Sequence, residues 1–356
     1  MKYLPLSEVC KINMGQSPES SSYNKNGDGL PFFQGNADFG ERYPVTRVWC
    51  NAPTKIAHAG DILISVRAPI GAMNYVADEC CIGRGLAAIT PDSKKVSSEF
   101  IFWLLKGKNT ELNSKGTGST FKAIGRKVLE EVLVPDIGFE KQTEYAQVLE
   151  TVYAIIRERT EQLHIFDKLI KARFVEMFGD PVSNPKGWRV IPWEGVFDTK
   201  TGKLDSNAAV EGGEYPFFTC AKEWLWIDKY AYDCEALLLA GNNAAGVYDV
   251  KHYKGKFNAY QRTYILQLKD ADWSYSLFKY QLEDRLQYLQ SQSKGTNTRY
   301  LTMGILNSLT FIVPPKELQD EFTTLVSQVD KSKAVVQKAL DEAQLLFDSL
   351  MQQYFG

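Results

Sequence analysis

The stretch YAQVLETVYAIIRERTEQLHIFDKLIKARFVEMFG, Tyr145 to Gly179, decides how the chain is organised. Its apolar residues recur at steps of three and four. Leu149, Ile156, Leu163, Ile170 and Met177 fall on one heptad row, and Tyr145, Val152 and Phe166 on the adjacent row, which Arg159 and Arg173 interrupt. No proline or glycine occurs before Gly179, so the spacing predicts one continuous helix. At 1.5 Å per residue it would reach roughly 50 Å. So narrow a stripe on so long a helix suits a coiled-coil seam better than a globular core.

A partner for that seam lies in the same chain. The run Phe322 to Gly356 has the same length and a similar stripe, with Val329, Val336, Leu340, Phe347 and Leu350 among its seam residues. An offset of 177 places Tyr145 on Phe322, Val152 on Val329 and Phe178-Gly179 on Phe355-Gly356. Two unrelated amphipathic helices could give the same stripes, but the repeat extends beyond them. Pro31-Phe32-Phe33 returns as Pro216-Phe217-Phe218 at an offset of 185, and Ile62–Ile64 with Gly71 return as Leu237–Leu239 with Gly246 at 175. Lys115-Gly116-Thr117 returns as Lys294-Gly295-Thr296, and Val134-Pro135 as Val313-Pro314, both at 179. The offset drifts in loops and holds within elements, as insertions make it do in a diverged duplication.

The chain therefore divides into residues 1–138, a mixed α/β domain; 139–179, a long helix; 180–315, a second α/β domain; and 316–356, a second long helix. Strands are expected at Leu30–Phe33, Asp61–Val66, Ala72–Ala77, Gly85–Thr90 and Val128–Val134. A helix is expected from Ser97 as N-cap to Leu112. Gly179 to Gly187 is a punctuated linker.

Composition sets mild bounds: 44% hydrophobic and 24% charged residues describe an ordinary globular protein. No apolar run approaches the length of a membrane span, and Met1-Lys2-Tyr3-Leu4-Pro5 leads straight into strand-like sequence without a signal peptide, so a cytoplasmic location is expected. The six cysteines show no CxxC pair and are expected as free, partly buried thiols without a metal. A net charge of −2 hides local clusters. Eight bases lie between Lys94 and Lys127 against Glu99 and Glu111, and Lys251, Lys254, Lys256 and Arg262 occur with no acid among them. Local distribution matters more to a polyanion than the total.

An α/β domain, a long helix ending in Met177-Phe178-Gly179-Asp180-Pro181, then the same unit again resembles the DNA specificity subunit of type I restriction-modification systems. Gly60-Asp61-Ile62-Leu63-Ile64-Ser65, Gly83-Arg84-Gly85-Leu86-Ala87-Ala88-Ile89, Asn258-Ala259-Tyr260-Gln261-Arg262-Thr263-Tyr264 and the two Lys-Gly-Thr loops are similar to segments of that family. The resemblance covers nearly the whole chain, which stops where the second helical run ends. It implies two target recognition domains, each reading one half of a split site on double-stranded DNA. The two long helices would pair as an antiparallel coiled coil, act as a spacer and dock two methyltransferase subunits, with restriction and translocase subunits beyond them. S-adenosylmethionine and ATP would belong to those partners, and this chain would bind no cofactor. Geometry agrees: two homologous readers on paired helices would address half-sites about one helical turn, ~34 Å, apart.

Catalysis by the chain itself finds little support. The Asn/Asp-Pro-Pro-Tyr/Phe tetrapeptide of adenine methyltransferases is absent, Asn184-Pro185-Lys186 and Pro314-Pro315-Lys316 being the nearest approaches. No P-loop occurs. Pro135-Asp136 with Glu140-Lys141 has the wrong spacing for a nuclease metal motif. His58, His164 and His252 lie far apart.

Candidate DNA contacts follow from chemistry. Lys115, Gly116, Thr117, Ser119, Thr120 and Lys122 combine cations, hydroxyls and amides freed by glycine, which suits phosphate. Lys294, Gly295, Thr296, Asn297, Thr298 and Arg299 do the same, although either run could be a polar surface turn. Arg67 and Arg84 suit guanine edges, while Asn242, Asn243 and Gln261 suit adenine, with Arg262 beside them. The amides could equally fix loops by bonding to backbone. Trp224, Trp226, Tyr230 and Tyr232 are expected in the core. The competing function class is a protein-interaction scaffold of two similar domains on a coiled coil, which salt-dependent DNA binding would separate from the first.

Overall fold

A computed structural model describes residues 2–118, 122–244, 246–295 and 298–356. The chain forms two compact units: residues 1–160 with 338–356, and residues 161–337. Both boundaries fall inside long helices, Phe139–Phe178 and Lys316–Phe355, each of 40 residues. Both helices begin six residues before Tyr145 and Phe322, where the apolar stripes begin.

In the first unit, Tyr3–Pro5 pairs antiparallel with Leu133–Pro135. A four-stranded sheet runs in the order Cys10–Met14, Leu86–Pro91, Ile62–Ser65, Met73–Tyr75, all antiparallel. A second sheet contains Leu30–Phe33, which pairs parallel with Cys80–Ile82. Ile62, Ile64, Ala87 and Ile89 face the helix Ser98–Gly107, and with Phe100, Trp103 and Leu104 they form the main core. Leu63, Leu86 and Ala88 point the other way into a second cluster, as the two-residue period of a strand requires.

The second unit repeats the plan. Arg189–Pro192 pairs with Thr310–Val313. A six-stranded sheet runs Phe197–Thr201, Thr263–Leu268, Tyr232–Ala240, Val250–Ala259, Tyr215–Phe218, Leu225–Ile227. Again the Pro-Phe-Phe strand pairs parallel, Phe217 with Asn258 and Phe218 with Ala259. Gly15 and Gly202 sit at equivalent turns, where a side-chain carbon would lie 2.2 Å from the carbonyl oxygen of Gly83 and 2.1 Å from that of Ala259.

The same polar joint seats each long helix. Ser97 and Ser274 cap the helices Ser98–Gly107 and Tyr275–Asp284, accepting from the amides of Phe100 and Leu277. Their own amides donate to Gln142 Oε1 (2.9 Å) and Gln319 Oε1 (3.0 Å), both buried. Within each unit the long helices run antiparallel. In the first unit Tyr145 stacks on Tyr354 with ring centroids 3.7 Å apart, and Tyr153 meets Phe347. In the second, Arg173 Nη2 lies 2.7 Å from Glu321 and Lys333 pairs with Asp167. Leu149, Val152, Val329 and Phe347 are buried, and Ile156, Leu163, Phe166, Ile170, Val336, Leu340 and Leu350 are half-buried.

Three sequence expectations are corrected. Val128–Val134 is not one strand: Arg126–Glu130 is a short helix, favoured by the four-residue ion pairs Arg126–Glu130 (2.7 Å) and Lys127–Glu131 (3.7 Å), and only Leu133–Pro135 is extended. The helix after Ser97 breaks at Lys108 and resumes over Asn109–Ser114. Trp224, Trp226 and Tyr230 are 45%, 44% and 45% exposed, because they lie on or beside the edge strand Leu225–Ile227. Among the described residues, no helix is long and apolar enough to cross a membrane.

All six cysteines are free. Burial pushes the Cys10 and Cys80 thiols up to about 12, with Asp92 adding to the first and Cys81 to the second. The thiolate is the nucleophile that attacks an alkylating reagent, so the buried Cys10, Cys50, Cys80 and Cys81 should resist labelling in the native protein. Cys220 should react first. Mass spectrometry after brief alkylation at pH 8 checks this, and early modification of Cys80 would contradict it.

Candidate nucleic-acid interface

Each unit builds one polar edge at the same end of its main sheet. In the first unit, the strand Ile62–Ser65 continues outward through Val66, whose amide donates to Gly85 O at 2.9 Å. The next residues outward are Arg67 on this side and Arg84 in the turn opposite, closed by the Leu86 amide on Gly83 O (3.0 Å). A third segment lines up on the free side. Ile124 N donates to Val66 O (2.9 Å), Ala68 N to Lys122 O (3.0 Å), and Arg67 bridges to Ala123. Ala123 in turn exchanges two hydrogen bonds with Thr117, at 2.9 and 3.0 Å. Val66, Ile70 and Ile124 are buried, so the edge is anchored in the core while Arg67, Arg84, Thr117 and Lys122 stay exposed.

The second unit matches bond for bond. Gly241 N donates to Arg262 O and Leu301 N to Gly241 O, both at 2.8 Å. The next residues outward are Asn242 and, in a turn closed by Thr263 N on Tyr260 O (2.8 Å), Gln261. Asn242 and Asn243 pair with Tyr300 and Arg299. Tyr300 exchanges two bonds with Lys294 (2.8 and 3.1 Å). Gln261, Arg262, Lys294, Thr298 and Arg299 are exposed, and Asn242 and Asn243 half-buried.

This pairing corrects the register read from sequence. The bridges Thr117–Ala123 and Lys294–Tyr300 make Thr117, not Lys115, the counterpart of Lys294, so the matching Lys-Gly-Thr letters are two residues out of step. Lys115 closes the helix Asn109–Ser114 instead, 2.7 Å from Glu111, and its hydrogen bond holds that carboxyl below the usual range. Gly116 is half-buried and Gly295 exposed. Ser119, Thr120, Thr296 and Asn297 lie outside the described residues.

The basic clusters are largely paired. Lys95, Lys108, Arg126 and Lys127 lie within 4 Å of Asp92, Glu111, Glu130 and Glu131. Lys106 lies over the Tyr153 ring at 3.6 Å. Lys251 and Lys254 meet Asp249 and Glu235, acids that lie outside the stretch from Lys251 to Arg262, and Lys256 lies over Tyr230. Exposed pairs of this kind are worth ~1 kcal/mol or less, so a phosphate can compete for the cation. Their long-range field is nevertheless small, and the polar edges rather than the clusters mark the candidate interface.

Sequence reading missed three members of these edges. Gln34 is exposed beside Arg84, and its carbonyl oxygen would lie 2.2 Å from a side-chain carbon at Gly85. Ser17 Oγ accepts from Arg84 N at 3.3 Å. Tyr300, 41% exposed, lies opposite Asn242. A signal for the first existed, since Gln34 directly follows the repeated Pro-Phe-Phe. Among the described residues, no group of three His, Cys, Asp or Glu side chains is placed to hold a metal.

Two like units, each presenting a polar, cation-bearing edge anchored on a sheet, define the class: a duplicated recognition module. The chain belongs to the type I restriction modification DNA specificity domain family, whose model matches residues 1–164 and again 185–344. A Methanocaldococcus jannaschii protein provisionally described as the type I restriction enzyme MjaX specificity subunit is 42% identical over 161 residues, covering 45% of this chain and 38% of that protein. The Escherichia coli type I restriction enzyme EcoDI specificity subunit is 36% identical over 156 residues, covering 42% and 34%. The matched stretches thus span little more than a third of either relative. The crystal structure of a type I restriction-modification S subunit from M. genitalium shares the fold over 100% of this chain and 96% of that one, with a TM-score of 0.67 at 14% identity.

Proposed function

We propose that this chain is the non-catalytic specificity subunit of a type I restriction-modification assembly. Each unit reads one half-site on duplex DNA, and the long helices set the unread spacer between them. The observation that carries this reading is the bond-for-bond equivalence of the two polar edges, at Val66–Gly85 and Gly241–Arg262, within a family matched on both halves. Equivalent frames with different side chains call for two different half-sites. Exposed apolar residues on the long helices, Ile165, Leu169, Val335 and Leu345, supply surface for methyltransferase subunits, with restriction and translocase subunits joining them. S-adenosylmethionine and ATP belong to those partners.

Methylation mapping of host DNA tests the reading. With the gene present, one bipartite motif should be methylated; with the gene deleted and the methyltransferase intact, that motif should lose its methylation entirely. A motif that survives deletion would transfer specificity to another protein. A protein-only scaffold would leave both maps identical.

A further inference from the structure

We infer that the two edges share a phosphate-holding position and differ at two base-reading positions, so that the first unit reads G·C pairs where the second reads A·T. This rests on the DNA-reading role proposed above and assigns chemistry to individual positions within it.

The equivalence of the frames does the sorting. Bonds from Gly85 to Val66 and from Val66 to Ile124 correspond to bonds from Arg262 to Gly241 and from Gly241 to Leu301. Counting outward from them, Lys122 corresponds to Arg299, Arg67 to Asn242, and Arg84 to Gln261. At the first of these positions both units carry an exposed cation. Any duplex presents the same backbone phosphates to both units, so a contact to phosphate can keep one chemistry across the duplication. At the other two positions the chemistry changes in concert, from two guanidinium groups to two carboxamides. A guanidinium donates two hydrogen bonds to O6 and N7 of guanine, whereas a carboxamide both donates and accepts, as N7 and the N6 amine of adenine require. Neither set makes the same two-bond match with the other base.

The residues have the access this needs. Arg67, Arg84 and Gln261 are exposed, and Asn242 is half-buried beside the exposed ring of Tyr300. Arg84 and Gln261 each occupy the first central position of a tight turn, whose closing bond fixes the backbone beneath them.

The test uses the full-length chain, purified from its host with its bound subunits, and a library of random-sequence duplexes. Selected sequences are read for wild type and four variants. Gln261→Arg should change one base pair of one half-site from A·T to G·C, shifting preference there by roughly 5- to 150-fold, and leave the other half-site untouched. Arg84→Gln should make the reverse change in the other half-site. Lys122→Ala and Arg299→Ala should keep the selected motif and each lower the slope of log affinity against log salt by ~1. Circular dichroism melts identify any variant that fails to fold, and the two reciprocal swaps are read independently. An unchanged motif in both folded swaps, or a changed base preference in Arg299→Ala, overturns the assignment and leaves the specificity role standing. A wild-type protein that selects no motif overturns both.

Discussion

Replacing Phe322 by alanine is expected to cost the second unit about 3–5 kcal/mol, the range for truncating a fully buried aromatic ring. The ring is 0% exposed and meets Phe174 and Phe178 edge-to-face, with centroids 5.6 and 5.5 Å away, and Tyr280 at 6.2 Å. Phe174 and Phe178 come from the first long helix, Phe322 from the second, and Tyr280 from the helix Tyr275–Asp284. One side chain thus joins three elements. Because whole domains are stable by only ~5–15 kcal/mol, the loss is a large share of the total. Hydrogen exchange of the strand pair Thr263–Leu268 and Tyr232–Ala240 measures it locally, where stability can differ between regions. Protection there should fall by roughly two to four orders of magnitude. A variant that keeps wild-type protection would show that the cavity collapses at little cost.

How much of this was legible in the sequence depends on the length scale of the signal. The long helices could be read because a 3–4 stepping sustained from Tyr145 to Gly179, and again from Phe322 to Gly356, has no explanation in a strand or loop. The duplication could be read because Pro-Phe-Phe and the helical stripes survive divergence, and both Pro-Phe-Phe strands do pair parallel in their sheets. Short elements were less legible. Val128–Val134 has strand-like composition, yet two ion pairs at helical spacing and the N-terminal Gly125 turn its first residues into a helix.

The candidate edges were half legible. Residue chemistry picked Arg67, Arg84, Asn242 and Gln261, but nothing in the sequence says that the residue after Val66 and the residue before Gly85 follow one another in register. That information resides in non-local hydrogen bonds. For the same reason the matching Lys-Gly-Thr letters misled by two residues, since similarity of letters in a loop does not fix the pairing of the strands around it. Charge counting failed more simply. The acids that pair with Lys251 and Lys254 are Asp249 and Glu235, which lie outside the acid-free stretch from Lys251 to Arg262.

Gln142 gives the second large effect, and one with a pH signature. Its side chain is buried, accepts from Ser97 N at 2.9 Å, and donates through Nε2 to Ile137 O (2.9 Å) and Lys95 O (3.2 Å). Gln319 repeats the arrangement between Ser274 N and Pro314 O, so the joint is a property of the fold. Gln142→Leu keeps most of the volume but leaves an amide and two carbonyls without partners. The Ser97 bond is buried and the two carbonyl bonds are part-buried, so at ~1–3 kcal/mol for a buried unsatisfied group and less for those that water reaches, the first unit should lose about 2–5 kcal/mol. Gln142→Glu separates the polar joint from mere packing. The carboxylate can still accept from Ser97 N, but it faces two carbonyl oxygens in a buried site, so its folded pKa must rise above the unfolded value of ~4.3. A raised carboxyl pKa means the neutral form is the one the fold tolerates. Stability is therefore retained at low pH and lost as pH climbs through the folded pKa. With a folded pKa of ~7, Gln142→Glu should lie about 1 kcal/mol below wild type at pH 5 and about 3–4 kcal/mol below it at pH 8. Urea unfolding at the two pH values, with wild type alongside, measures the difference. Equal losses at both would mean that water or a cation reaches the site and that the joint is not dry.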